Sequence, residues 1–320
     1  MKQIVSGLIF TSLFALSAYA QDYPTKSIRA LVSFAPGGVV DTSTRIVTSK
    51  ITETLGWHFV VDNRPGANGF IGAAAAAKAN ADGYTLLSAH TGEFAVNPVM
   101  FKTMPYDETT FTPVIMLSDA PMLIVVNVQS PINSIKELVA AARAKPGAIT
   151  FGSPGSGSVN HMASEWLAAT AGVKMTHVPY KGGAPAVLAV ATNDVTFTVA
   201  GMPGVSPHLQ GKRVKVLGIT TAKRSPLVPD YPTAQEMGVP GVDASIWVGF
   251  FVPRGTPPAI INKLYNASAD VLKRPEVKER LAVVGGAEAV ATAGAAFNTR
   301  IASDIERYKK VAAQVGIKPE

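Results

Sequence analysis

The stretch "IRALVSFAPGGVVDTSTRIVTSKITETLG", residues 28–56, decides the fold. Its first seven residues are mostly apolar and predict a β-strand, and residues 42–55 have apolar residues at helical spacing before Gly56. Between the two lies Pro36-Gly37-Gly38. Glycine allows close approach to the backbone, and a helix N-terminus offers free N–H groups to anions. This turn alone indicates either a tight connection or an anion-binding site.

The same alternation of strands and helices continues along the chain. The most strand-like stretches are "PMLIVVNV" at 121–128 and "ASIWVGFFVP" at 244–253, and a second block of strands and helices separates them. After residue 253 the pattern is helical, with a long last helix at 293–313. Alternation of this kind predicts an α/β fold with parallel sheets flanked by helices.

The interrupted order predicts two lobes. Lobe 1 comprises residues 21–122 and 247–320, and lobe 2 comprises residues 123–246. Each lobe is expected to contain a mainly parallel sheet flanked by helices, and two strands that cross between the lobes would form a hinge. Ligands of open α/β sheets bind outside the carboxyl ends of the strands, so we expect a ligand in the cleft between the lobes.

The first twenty residues have the pattern of a secretory signal peptide. Lys2 precedes an apolar stretch, and Ala18-Tyr19-Ala20 fits a small-x-small cleavage site, so the mature chain is expected to begin at Gln21. A membrane anchor is less well supported, because the apolar stretch is short and ends in this cleavage signal. We therefore expect a soluble, exported protein.

The composition excludes several classes of function. The chain has 320 residues, of which 47% are hydrophobic, and it has no cysteine. Disulfides, thiolate chemistry and zinc–cysteine sites are therefore excluded. Its formal charge of +7, or +6 without Lys2, favours anionic ligands only weakly. Lys and Arg are scattered without interleaved aromatic residues, so we expect no nucleic-acid partner.

Four unusual loops follow predicted strands. They cover residues 36–38, 64–69, 152–161 and 179–185. Three of them are rich in glycine and lead directly into helices. Several such loops at equivalent strand ends favour an anion held by backbone N–H groups.

Motifs for other activities are incomplete. "GSGSVN" at 155–160 has Asn160 where a dinucleotide-binding fingerprint has its third glycine, and phosphate-loop and nucleophile-elbow motifs do not occur. His161 and Glu165 share a helix face but lack a third metal ligand. Ser158 is instead expected to cap that helix. We therefore predict neither an enzyme nor a bound cofactor or metal.

Several motifs together resemble the Bug family, also called TctC. They are "FAPGGVVDTSTR", "VDNRPGANGFIGA", "DGYTLL", "NPVMF", "PYDETTFTPV", "TFGSPGSGSVNHM", "VPYKGGAPA", "PTAQEMGVPG" and "WVGFFVPRGTP". The resemblance covers nearly the whole mature chain. It implies the two-lobed type II fold of periplasmic binding proteins. It also implies that the protein is a monomer that captures a small carboxylate. The protein would deliver this ligand to the large and small permease subunits of a tripartite tricarboxylate transporter.

The resemblance also implies a site at the loops. The first two loops would hold one carboxylate from both sides, partly through water, and the 152–161 loop would meet the other end of the ligand. The residues assigned to the site are Phe34, Pro36, Gly37, Gly38, Asp41, Gly66, Ala67, Gly69, Ser88, His90, Ser156, Gly157, Ser158, His161, Tyr180 and Lys181.

Some questions stay open at this point. Asp41 either accepts N–H bonds that fix the glycine loop or pairs with a ligand ammonium group, and His90 is either a ligand donor or a satisfied polar residue. The family usually has an aspartate where this chain has Thr196, so no ligand specificity is transferred. The ligand could be a dicarboxylate, a tricarboxylate, an acidic amino acid or an aromatic acid. The partner could be a sensor kinase rather than a permease.

Overall fold

The computed structural model describes residues 23–107 and 109–319, so the predicted signal peptide lies outside the described residues. The strands are β1 (Ile28–Val32), β2 (Phe59–Asn63), β3 (Thr85–His90), β4 (Phe111–Asn127), β5 (Thr150–Ser153), β6 (Thr176–Pro179), β7 (Phe197–Gly201), β8 (Val214–Ile219), β9 (Ser245–Pro253) and β10 (Glu288–Thr292). The helices are α1 (Val39–Leu55), α2 (Phe70–Ala77), α3 (Asn97–Met100), α4 (Ile135–Ala144), α5 (Val159–Ala171), α6 (Gly183–Ala191), α7 (Met202–Gln210), α8 (Pro258–Leu272), α9 (Pro275–Arg280) and α10 (Gly294–Val315).

Local signals explain where the helices begin and end. α1 begins directly after Gly38, three residues earlier than predicted, and Gly56 ends it with a left-handed φ of 69°. At the start of α4, the Ser134 side chain accepts from the Glu137 N–H group, as the Ser-x-x-Glu pattern of residues 134–137 predicts for a capping box. Ser158 caps α5 by accepting from the His161 N–H group, which confirms that prediction too.

The strands form one mixed sheet in the order β2-β1-β3-β9-β4-β7-β5-β6, with β8 and β10 also paired to β4. β1 pairs in parallel with β2 and β3, and β5 pairs in parallel with β6 and β7. The central strands β4 and β9 run antiparallel to their neighbours. The predicted α/β class with flanking helices is confirmed. Because β4 and β9 run antiparallel to their neighbours, the centre of the sheet is antiparallel.

β4 belongs to both halves of the sheet. Residues 111–121 of this strand pair with β9, whereas residues 122–126 pair with β7. We call the strands on the β9 side the β1 half and those on the β7 side the β5 half. The two halves thus share one continuous, largely buried strand.

Parallel pairing places the candidate loops at common edges. β1, β2 and β3 end at Val32, Asn63 and His90, and each end leads directly into a candidate site loop or residue. In the β5 half, β5 ends at Ser153 and β6 ends at Pro179, at the beginnings of the third and fourth loops. Within the described part of the chain, each helix is too short or too polar to span a membrane.

Candidate functional site

The turn before α1 has an open backbone. Gly37 has a φ of 81°, which favours glycine, and Gly38 is the N-cap residue with extended backbone. A Cβ atom on Gly37 would meet no described atom within 4 Å, and one on Gly38 would meet only the Ala35 carbonyl oxygen at 3.6 Å. Gly38 has no side chain that could cap the helix. The backbone at Gly37 and Gly38 therefore has open space beside it, directly before the start of α1.

The Asp41 side chain holds this turn in place through hydrogen bonds. It is buried, and its Oδ2 accepts from the Gly37 N–H group at 2.9 Å. Its Oδ1 accepts from Arg45 Nε and Asn63 Nδ2, both at 2.9 Å. Burial acts to raise the pKa of Asp41, but these hydrogen bonds outweigh it and hold the pKa below its ordinary value. Of the two roles that the sequence left open, these contacts match the structural one.

We expect the Asp41→Asn substitution to lower the free energy of unfolding by about 1–2 kcal/mol, because at least one of the three part-buried hydrogen bonds to Asp41 is lost. Urea unfolding of the two proteins measures the difference. A ligand-pairing role would instead leave stability unchanged and remove binding of ligands that carry an ammonium group.

The pH dependence of stability gives a second test of the structural role of Asp41. Because the pKa of folded Asp41 is lowered from 3.8, its stabilisation is present above that pH and lost as the pH falls below it. The stability of the Asp41→Asn variant should therefore approach that of the wild type as the pH is lowered through this range. A constant difference at all pH values would contradict this account.

The second loop is a left-handed turn. Gly66, Ala67, Asn68 and Gly69 have φ values of 128°, 47°, 50° and 89°. Here the glycines pack against protein: a Cβ on Gly66 would lie 2.7 Å from Ile71, and one on Gly69 would lie 2.7 Å from Glu93. Unlike the turn at Gly37 and Gly38, this loop needs glycine for its own conformation and packing.

The end of β3 contributes His90 and Ser88 in different ways. The His90 ring packs on Phe34 with the ring centroids 4.3 Å apart. Its Nδ1 atom lies 2.6 Å from Glu93 Oε2 and accepts from the Gly92 N–H group at 2.8 Å. Ser88 is fully buried and its hydroxyl bonds to Thr44 at 2.6 Å. Ser88 thus lies beneath the loops, and His90 has polar partners within the protein.

Sequence reasoning missed Glu93. This residue lies in a π-helical turn, Gly92–Val96, and is fully buried. Its carboxylate contacts Ser33 and His90 at the ends of β1 and β3. The one available signal was an acidic residue in the apolar context "TGEFAV" directly after a buried strand.

The third loop is braced by histidines. Gly157 N–H donates to His161 Nδ1 at 3.2 Å, and the buried His161 ring stacks on His177 with centroids 4.0 Å apart. Burial first, and His161 second, lower the pKa of His177 to about 4. Ser156 is exposed at the tip of this loop. His161 therefore supports the loop that presents Ser156 and Gly157.

The fourth loop lies beside the third. The Tyr180 N–H group donates to the Ser153 carbonyl at 2.9 Å, and burial raises the pKa of the Tyr180 hydroxyl. Lys181 is exposed. Thr196 precedes β7 at the amino end of the parallel strands, where it bonds to Thr150. Thr196 therefore lies at the opposite ends of these strands from the third and fourth loops.

The two sets of loops meet across the sheet halves. Asn68 Nδ2 donates to the Ser156 carbonyl at 2.8 Å, and a Cβ on Gly157 would lie 3.2 Å from Phe101. A Cβ on Gly201 would lie 2.8 Å from Val39 at the start of α1. The predicted site residues thus form two groups, around α1 and around α5, joined at Asn68. No group of three His, Asp or Glu side chains among the described residues could hold a metal ion.

Comparison with known proteins assigns this chain to a protein family. The family profile described as "Tripartite tricarboxylate transporter family receptor", TctC, matches residues 43–317. Protein BugT of Bordetella pertussis is 34% identical over 319 residues, covering 98% of this chain and 97% of its own. A protein encoded in the tcbD-tcbE intergenic region of Pseudomonas sp. strain P51 is 36% identical over 97% of this chain and 93% of its own. The chain belongs to the TctC family, as the sequence motifs indicated.

Solved structures agree with this assignment. The structure of R. palustris Rpa4515 with adipate matches with a TM-score of 0.89 and 35% identity, over 93% of this chain and all of that one. MatC from Rhodopseudomonas palustris with bound malate matches with a TM-score of 0.82 and 31% identity, over 90% of this chain and 99% of that one. The periplasmic binding protein BugD matches with a TM-score of 0.84 and 30% identity, over 93% of this chain and all of that one. The fold is thus that of periplasmic binding proteins.

Proposed function

We propose that this protein is a periplasmic receptor that captures a small carboxylate at the start of α1. The open backbone at Gly37 and Gly38 carries this proposal, since a Cβ there would enter unoccupied space at an uncapped helix N-terminus. α1 has 17 residues, and its aligned peptide dipoles favour an anion at this end.

The negative charge of Asp41 does not oppose an anion strongly. Asp41 is the acidic residue in the first turn of α1, but its carboxylate accepts from Arg45, Asn63 and the Gly37 N–H group. These partners offset the negative charge that would otherwise repel a ligand carboxylate. Asp41 therefore shapes the turn without competing for the ligand.

Two lobes would enclose the ligand. The change of β4 partners after Pro121, and the start of β9 at Ser245, support a division into 21–122 with 247–320 and 123–246. Loops from the β1 half would hold one carboxylate, and the loop at Ser156 would contact the rest of the ligand. The protein would act as a monomer without catalysis and deliver its ligand to large and small permease subunits.

The adipate and malate in related structures support a carboxylate ligand for this chain. A thermal-shift screen of the chain from Gln21 onward tests the proposal with dicarboxylates, tricarboxylates, acidic amino acids and aromatic acids. A ligand at about 100 times its dissociation constant stabilises the native state by about 2.7 kcal/mol. If amines or sugars raise the melting temperature and carboxylates do not, the proposal is wrong.

Ligand binding should also close the two lobes, because the site residues lie in two groups on either side of the β4 crossing. We expect a smaller radius of gyration by small-angle scattering when the protein is saturated with the best ligand of the screen. The Asn68→Asp variant should close less completely, since its carboxylate would face the Ser156 carbonyl instead of donating to it. Identical scattering with and without ligand would contradict the closure.

A further inference from the structure

Glu93 is a buried charged residue for which ligand capture alone gives no reason. It is fully buried in the turn Gly92–Val96, below the loops of the β1 half. A buried carboxylate is tolerated only where donors satisfy it. Its donors therefore indicate what it does.

The donors come from the ends of two parallel strands. The hydroxyl of Ser33, one residue beyond β1, donates to Glu93 Oε1. At the end of β3, the His90 N–H group donates to Oε2 at 3.1 Å, and His90 Nδ1 lies 2.6 Å from the same oxygen. Ser33 precedes the turn at Gly37 and Gly38 by a few residues, so Glu93 links that turn to His90.

A third contact reaches the second loop. A Cβ atom on Gly69 would lie 2.7–2.9 Å from the Cγ, Cδ and Oε1 atoms of Glu93. The glycine backbone thus rests directly on the glutamate side chain. In the same segment, Asn97 Nδ2 donates to the Asn68 carbonyl at 2.9 Å, and the Tyr106 hydroxyl donates to the Glu93 carbonyl at 2.7 Å. The turn that holds Glu93 is therefore itself fixed.

From these contacts we propose that Glu93 is a positioning residue that holds the first two anion-binding loops and His90 in one arrangement. It acts through Ser33, Gly69 and His90 and does not touch the ligand. This assignment rests on the proposed function for its purpose, but its structural content can be tested without any ligand.

The proposed role of Glu93 depends on its shape and its hydrogen bonds, so a side chain of the same shape should be able to replace Glu93. Glutamine at position 93 can turn its oxygen toward the His90 N–H group and its amide group toward the Ser33 hydroxyl, which also accepts. Alanine leaves the His90 N–H group without an acceptor and opens a space under Gly69. Glu93→Gln should therefore keep the loops ordered, whereas Glu93→Ala should not.

Hydrogen exchange of the ligand-free chain from Gln21 onward, read by mass spectrometry, tests this difference. For Glu93→Ala we expect peptides that cover 64–72 and 88–93 to exchange about tenfold faster, the size expected when a buried donor loses its acceptor. Glu93→Gln should exchange like the wild type. A peptide covering 135–144, in α4, should be unchanged in both variants. As a matched control, Glu236→Ala removes another glutamate that accepts from a backbone N–H group, that of Thr233 at 2.8 Å, and it should leave 64–72 unchanged.

Three outcomes would overturn the proposal. They are unchanged exchange at 64–72 in Glu93→Ala, faster exchange spread equally to 135–144, and failure of Glu93→Gln to keep the loops ordered. If Glu93→Ala does not fold, Gly69→Ala decides instead, because its methyl group would press on Glu93 and should speed exchange at 88–93. Absence of that effect would also overturn the proposal, whatever the ligand screen shows.

Discussion

Replacing Gly38 by valine should remove most carboxylate binding while the protein stays folded. The extended backbone at Gly38, with a φ of −79°, is one that valine adopts readily, and its nearest neighbour would be the Ala35 carbonyl oxygen at 3.6 Å. The added side chain would fill the space at the start of α1. We expect binding about a hundredfold weaker, because two hydrogen bonds to a charged group, each worth about 1.5 kcal/mol, would be lost.

Isothermal titration with the best ligand from the screen measures this change. Gly204→Val is a matched control, since a Cβ there would also lie in open space, 4.0 Å from Val187 and within α7. The control should bind like the wild type. Normal affinity in a folded Gly38→Val protein would show that the ligand does not bind at the start of α1.

The second large effect concerns stability where α10 packs against β4 and β9. Asp304 is buried and accepts from Trp247 Nε1 at 2.8 Å, from Arg300 Nε at 2.9 Å and from Arg307. Arg300 also pairs with Asp119 on β4 at 3.1 Å. Asp304→Ala should lower the free energy of unfolding by about 2–4 kcal/mol, because the buried Trp247 indole N–H group loses its acceptor and two half-buried arginines each lose one of their carboxylate partners.

Denaturant unfolding followed by tryptophan fluorescence measures this loss. Asp270→Ala is the control, because Asp270 forms an ion pair with Lys273 at 3.0 Å with both side chains about 70% exposed. An exposed pair of this kind contributes less than about 1 kcal/mol. Equal effects in the two variants would mean that the contacts of Asp304 do not stabilise the junction.

Sequence patterns predicted the parts of the fold that depend on local chemistry. The strand-turn-helix unit around Gly37 and Gly38, the cap at Ser134 and the cap at Ser158 all follow from residues within one turn of each other. The family motifs extended this local information to the whole chain. The profile match and the similar structures confirm the class.

Features that depend on distant residues were not predictable in the same way. β4 runs for 17 residues, although Pro113 and Pro121 lie within it and the sequence indicated a strand only from residue 121. It continues because β9 and β10 pair with its first part. β10 itself was missed, since its five residues acquire their partner from a strand far away in the sequence.

The site shows the same limit. The place of a residue in the sequence cannot show that Ser88 is buried against Thr44. Nor can it show that position 69 must be glycine because the Glu93 side chain lies against it. The bond between Asn68 and the Ser156 carbonyl joins residues 88 positions apart, and no local pattern indicates it. Such contacts arise from the sheet topology and become visible only in the folded chain.

The most direct test of the central claim is a crystal structure of the protein with its best carboxylate ligand. We predict that a carboxylate oxygen accepts hydrogen bonds from backbone N–H groups in the first turn of α1, next to Gly38, at about 2.7–2.9 Å. A ligand whose carboxylate lies elsewhere, with no contact to this turn, would contradict the account.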